Sequence, residues 1–116
     1  MARISDYSII RDSKFTLQVG ADIDQDFSFS LPGDAHLGSR SILAFMVYPT
    51  SERVSFNISV NNSNQVSFTL GNSGLNTIHE VISANLLKHG NNRIKFVVTQ
   101  GRMTFADVVL WWQRDV

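Results

Sequence analysis

Cysteine is absent from the 116 residues. That excludes disulfides, thiolate metal sites and cysteine nucleophiles together, and leaves the redox compartment open. Charge of either sign is also missing in excess: ten Lys and Arg balance ten Asp and Glu. A chain with no basic surplus neutralises phosphates poorly, so nucleic acid is not an expected partner. The same balance argues against an electrostatic membrane anchor, and no apolar run is long enough to span a bilayer. The opening "MARISDYSII" has Arg3 but no apolar stretch before Asp6, so no signal peptide is read there. A cytoplasmic or non-classically released protein with no membrane partner is the expectation.

What is present suits one compact domain over residues 1–116. Hydrophobic residues make up 43% and charged residues 17%, enough to fill a core without staples. The dominant periodicity is two. "KFTLQV" alternates Phe15, Leu17 and Val19 with polar residues; "FSFSL" does so with Phe27, Phe29 and Leu31. "VSFNISV" sets Val54, Phe56, Ile58 and Val60 against serine and asparagine, and "QVSFTL" repeats the pattern. Each spells a half-buried strand. The link from Asn61 to Asn64 is short and rich in residues that tolerate left-handed backbone, which predicts a hairpin. "SILAFMVY" and "DVVLWW" are apolar at nearly every position, the pattern of central strands covered on both faces. "RIKFVVT" is intermediate, and Gln100-Gly101-Arg102 links it tightly to the last strand.

One segment suggests a helix. Ser83 can cap "ANLLK", and Gly90 stands where a left-handed stop is wanted. In "SANLLKHGNNRIKF" the leucines supply an apolar plug and Asn91 or Asn92 bonds nearby backbone, while His89 is solvated. The stretch is thus expected to be a corner and not a site. The fold class is all-β: an antiparallel β-sandwich of about eight strands with one short helical turn.

The segments "VSFNISVNN", "IHEVISANLLKHGNNRIKF" and "FADVVLWWQ" resemble the galactose-binding-domain-like jelly rolls, found beside glycoside hydrolases and in lectins. Val60-Asn61-Asn62 replaces the family's usual Val-Asn-Gly, a departure that a hairpin tolerates. The resemblance covers the C-terminal two thirds or so of the chain. It implies the architecture and, as an expected partner, carbohydrate; the fold also hosts protein-binding and structural roles.

Reversing strands gather alternate loops at one end, and four of them carry the candidate ligand residues Asp24, Asp26, Glu52, Arg53, Asn72, Asn76 and Arg102. Acids, amides and arginine form a rim suited to hydroxyls, although any sandwich has polar loops. "DIDQD" spaces Asp22, Asp24 and Asp26 alternately, as the start of a calcium loop does, so calcium is a candidate cofactor there. The EF-hand pattern fails, because Phe27 follows where glycine is needed and no glutamate closes the loop. His36, His79 and His89 lie in separate segments without metal-ligand spacing, and no nucleophile elbow accompanies the serines.

Adjacent Trp111 and Trp112 must point to opposite faces of the last strand. One belongs to the core; the other lies under a loop, meets a subunit or stacks on a ligand. These readings lead to a non-catalytic carbohydrate-binding, lectin-like module that forms a homo-oligomer. The alternative is an assembly protein that binds itself or a protein partner through apolar strand faces.

Overall fold

The structure, a computed structural model, describes residues 2–71 and 74–116. Among the described residues it holds nine strands and no helix. They are β1 (Arg3–Arg11), β2 (Phe15–Gln18), β3 (Asp24–Leu31), β4 (Ser41–Pro49) and β5 (Arg53–Val60), then β6 (Ser63–Gly71), β7 (Asn76–Ile82), β8 (Gly90–Gln100) and β9 (Arg102–Asp115). A five-stranded sheet runs β1-β9-β4-β7, with β2 continuing the β1 side of β9. A four-stranded sheet runs β3-β8-β5-β6. Every pairing is antiparallel, and the two sheets make the jelly-roll sandwich.

The period-two segments account for the core. Val54, Phe56, Ile58 and Val60 of β5 all point inward and are buried. Phe15, Phe45 and Phe105 of the larger sheet meet Phe56 and Phe96 of the smaller one. Their ring centroids lie 5.0 Å apart for Phe96–Phe105, 5.3 Å for Phe56–Phe105 and 5.8 Å for Phe45–Phe96. These three contacts are edge-on or steeply inclined, the arrangement the ring quadrupoles favour. Trp112 belongs to this interior at 5% exposure, and its indole N–H donates to Ser8 Oγ at 3.0 Å.

Two expectations are corrected. β4 and β9 are central in their sheet but covered on one face only: Leu43, Phe45 and Val47 are buried while Ile42 and Tyr48 are exposed. An apolar run looks the same in sequence whether its second cover is supplied or missing. The predicted helical turn at "ANLLK" is instead a chain of turns and bends, with Asn85 at φ 63°. The buried Asn92 side chain is the reason. Its Oδ1 accepts from Lys88 N–H at 2.8 Å and its Nδ2 donates to Lys88 C=O at 2.9 Å. Both backbone groups of Lys88 are thus satisfied by a side chain, and a helical ladder is not needed.

The end of the molecule that holds the termini is clamped by charge. Arg114 donates to both oxygens of Asp34 at 2.6 and 2.7 Å and to Asp6 Oδ2 at 2.8 Å. Its guanidinium also lies 5.0 Å from the Trp112 ring centre. The Asp6 carboxyl is held below the usual carboxylate range, chiefly by the Arg114 hydrogen bond, and Arg114 is pushed correspondingly up. His36 Nδ1 lies 3.1 Å from Asp115 Oδ1 and fastens the β3–β4 loop to the same region.

Candidate functional site

In β8 the strand alternation turns Asn92, Ile94 and Phe96 inward and Asn91, Arg93 and Lys95 outward. Its outer side chains therefore line the face of the smaller sheet, beside Asp24 and Asp26 of β3 and Ser59 of β5. Lys95 pairs across the strands with Asp26 on one side and Ser59 on the other. Lys95 Nζ lies 3.5 Å from Asp24 and Arg93 Nη1 lies 3.9 Å from Asp26, so opposite charges alternate along one strip. All four are well exposed, and such pairs hold each other weakly enough to exchange partners with a ligand.

Two adjoining hollows open on this strip. One, of about 280 Å³, is lined by Asp26, Ser59, Asn62, Arg93 and Lys95. The other, of about 260 Å³, is lined by Asn61, Asn62, Lys88, Asn91 and Arg93. Asn62 and Arg93 belong to both. The hairpin that supplies the amides is a two-residue turn with Asn61 at φ 48° and Asn62 at φ 67°. Asparagine tolerates that left-handed backbone, which is why Asn62 can stand in the glycine position of the Val-Asn-Gly pattern. Asn61 is bolted down: it donates to Leu86 C=O at 3.0 Å and Asn92 Oδ1 at 2.9 Å, and accepts from Arg93 N–H at 3.0 Å. The hollows thus rest on a fixed corner.

The stretch read as a corner is one, but its outward residues Lys88, Asn91, Arg93 and Lys95 are also the main lining of the two hollows. The alternation of "HGNNRIKF" carried that signal: inward residues build the corner while their neighbours face solvent. His89 is not merely solvated, since its Nε2 lies 2.8 Å from Ala35 O.

The end-loop rim expected from the sequence is divided. Glu52 and Arg53 do share a hollow, of about 570 Å³, with Thr69, Leu70 and Gly71. Asp24 and Asp26 stand on β3 instead, and Asp26 is level with Ser59, six residues along β5 from Arg53. At about 3.4 Å per residue that separation is roughly 20 Å. Arg102 braces the β4–β5 corner, donating from Nη1 to Thr50 Oγ1 at 3.1 Å and from its backbone to Ser51 Oγ at 2.9 Å. Asn76 opens β7 and donates to Gly74 C=O at 3.1 Å. Asn72 lies outside the described residues.

The aspartates of "DIDQD", named above as calcium candidates, do not gather with other ligands into one cluster. Among the described residues no three His, Cys, Asp or Glu side chains come together to hold a metal ion. Asp24 and Asp26 face Lys95 and Arg93 instead, and the Asp22 carbonyl accepts the Gln18 N–H at 2.7 Å.

The opposite face of the molecule differs in kind. Trp111, 43% exposed, leans on Tyr7 with ring centroids 5.1 Å apart. Tyr48 is the third exposed aromatic, and it too lies on the outer side of the larger sheet.

No protein-family model matches the sequence, and no curated protein does. Solved structures match its fold along nearly its whole length. The C-terminal CBM6 of LamC, a marine laminarinase from Zobellia galactanivorans, is 8% identical with a TM-score of 0.54, covering 94% of this chain and 99% of that one. The CBM36-1 domain of a multidomain xylanase from the hindgut metagenome of Trinervitermes trinervoides is 12% identical with a TM-score of 0.51, covering 95% and 96%. The chain has the jelly-roll β-sandwich fold of these modules. The same fold sits inside larger proteins, such as a β-porphyranase of glycoside hydrolase family 86 from Bacteroides plebeius, at 16% identity and a TM-score of 0.71. There the match covers 97% of this chain and 21% of that one, and the chain spans 13% to 28% of the first such long neighbours. The sandwich shares its architecture with whole carbohydrate-binding modules; at such identities the likeness is one of fold.

Proposed function

We propose that the protein is a non-catalytic carbohydrate-binding module, lectin-like, that takes a glycan on the polar outer face of its smaller sheet. The observation that carries this reading is the pair of adjoining hollows joined at Asn62 and Arg93. Each sugar hydroxyl both donates and accepts. A lining of one carboxylate, three cations, a serine hydroxyl and three amides offers both donors and acceptors to meet that demand. The carbohydrate-binding modules among its structural neighbours support the class of ligand. With no aromatic side chain in either lining, recognition rests on hydrogen bonds.

A glycan array followed by calorimetry on the best hit tests this. Arg93→Ala is expected to weaken binding about tenfold or more, the cost of a lost charge-assisted hydrogen bond. Binding that survives Arg93→Ala and Lys95→Ala but disappears in Trp111→Ala would move the ligand to the aromatic face of the other sheet.

A further inference from the structure

The outer side of the larger sheet is ordered in cross-strand rows. Tyr7, Trp111, Ile42 and Val81 lie side by side on β1, β9, β4 and β7. The next row is Ile9, Val109, Ala44 and His79; then come Ala106, Met46 and Thr77; then Thr16, Thr104 and Tyr48. No lysine, arginine or glutamate stands in any of these rows. Tyr7, Ile9, Ile42, Tyr48, Val81 and Trp111 are all between 42% and 58% exposed. Scattered apolar residues on a surface mean little, but a contiguous set spanning four strands is an interaction face.

We propose that this face is the interface of a homodimer, with the larger sheets of two copies packed face to face. Area supports a second copy as the occupant. Four strands spaced about 4.8 Å and four rows spaced about 6.8 Å define a face of roughly 500 Å². Two such faces remove about 1,000 Å² in plane and more with side-chain relief, which reaches the lower bound for a specific interface. The pattern of side chains is also self-complementary. A dyad running along the strands midway between β9 and β4 lays β1 over the partner's β7 and β9 over its β4, so that all four strands are covered. Tyr7 then comes over the partner's Val81 and Trp111 over its Ile42, and the twofold repeats both matches. The aliphatic majority of the face favours protein over sugar, because Ile9, Ile42, Val81 and Val109 offer shape and no hydroxyl partners.

This inference does not rest on the glycan reading, which concerns the other sheet. Light scattering or sedimentation equilibrium at micromolar concentration is expected to give twice the chain mass. Ile42→Lys puts a charge into each half of the apolar interface and is expected to weaken the dimer at least about tenfold, toward the monomer. Because Ile42 is exposed, the variant monomer should keep the wild-type circular dichroism spectrum and a cooperative unfolding transition. A wild-type monomer, a dimer indifferent to Ile42→Lys, or a monomer that uses Trp111 to hold a glycan would overturn the proposal.

Discussion

The two broad faces of the molecule use the same strand geometry for opposite purposes. Outside β5 stand Arg53, Ser55, Asn57 and Ser59; outside β4 stand Ile42, Ala44, Met46 and Tyr48. Both strands are central and both turn their alternate residues into the same aromatic core. On the polar face, hydroxyls and amides bond one another, as Ser55 does with Thr69 at 2.9 Å and Gln100 at 3.1 Å. On the other face, side chains meet chiefly through apolar surface, as Tyr7 and Trp111 do, with a hydroxyl pair, Thr16 and Thr104 at 2.8 Å, at one end. A surface of the first kind is content in water and exchanges its hydrogen bonds readily with a hydroxylated ligand. A surface of the second kind gains free energy whenever it is covered. One sandwich can therefore carry a ligand and a partner at once without the two competing.

The contrast can be broken from the polar side first. Asn92→Ala removes the side chain that satisfies Lys88 and Asn61, and should cost about 2–4 kcal/mol, the sum of lost bonds and stranded polar groups. Urea unfolding should show that loss, and amide exchange should show loosening around residues 86–93 while β1 and β7 keep their protection. A smaller effect is expected at the link between the faces. Gly101 sits at φ 77° between β8 of one sheet and β9 of the other, and a Cβ there would collide with the Arg53 carbonyl and Ser51 Oγ. Gly101→Ala should cost about 1–2 kcal/mol by strain and displacement, read as a lower midpoint without change in slope.

The smallest effect belongs to the apolar sheet's end and depends on pH. The Asp6 carboxyl is depressed by the Arg114 hydrogen bond and then by that from Tyr7 N–H. A depressed carboxyl contributes stability above its unfolded value and loses it as pH falls through the folded one. The contribution of the clamp should therefore be complete at neutral pH and fade below the ordinary aspartate value of about 3.9. Asp6→Asn should melt slightly lower than wild type near pH 7, and the gap should close in strong acid.

How far the sequence revealed all this varies with the strand. β5 was plain in "VSFNISV" because its polar alternation matches a core below and water above. β4 and β9 were recognisable as central strands, but their open side was not, since apolar residues do not say what covers them. β1 and β7 are edge strands in which "RISDYSIIR" and "NTIHEVI" mix exposed apolar and polar residues, so their periodicity is diluted. Gly90 was legible as a left-handed stop, and φ 83° follows from it. The turn before it was misread because Asn92, a residue beyond the segment, supplies the bonds that a helix would otherwise have made. The aspartates were expected in a loop because nothing local marks where β3 begins. Once Asp24 and Asp26 enter the ladder, their side chains point to one face, where Arg93 and Lys95 meet them.

The position of β9 has a consequence for how the molecule comes into being. This last strand in the chain is hydrogen-bonded to β1, β2 and β4, so it joins three strands made long before it. Its pairing Arg3↔Asp115 joins opposite ends of the chain. The larger sheet cannot close on a ribosome until β9 has emerged, and until then Leu43, Phe45 and Phe15 have no lasting cover. Folding should be a late, concerted and comparatively slow event, governed by long-range pairing.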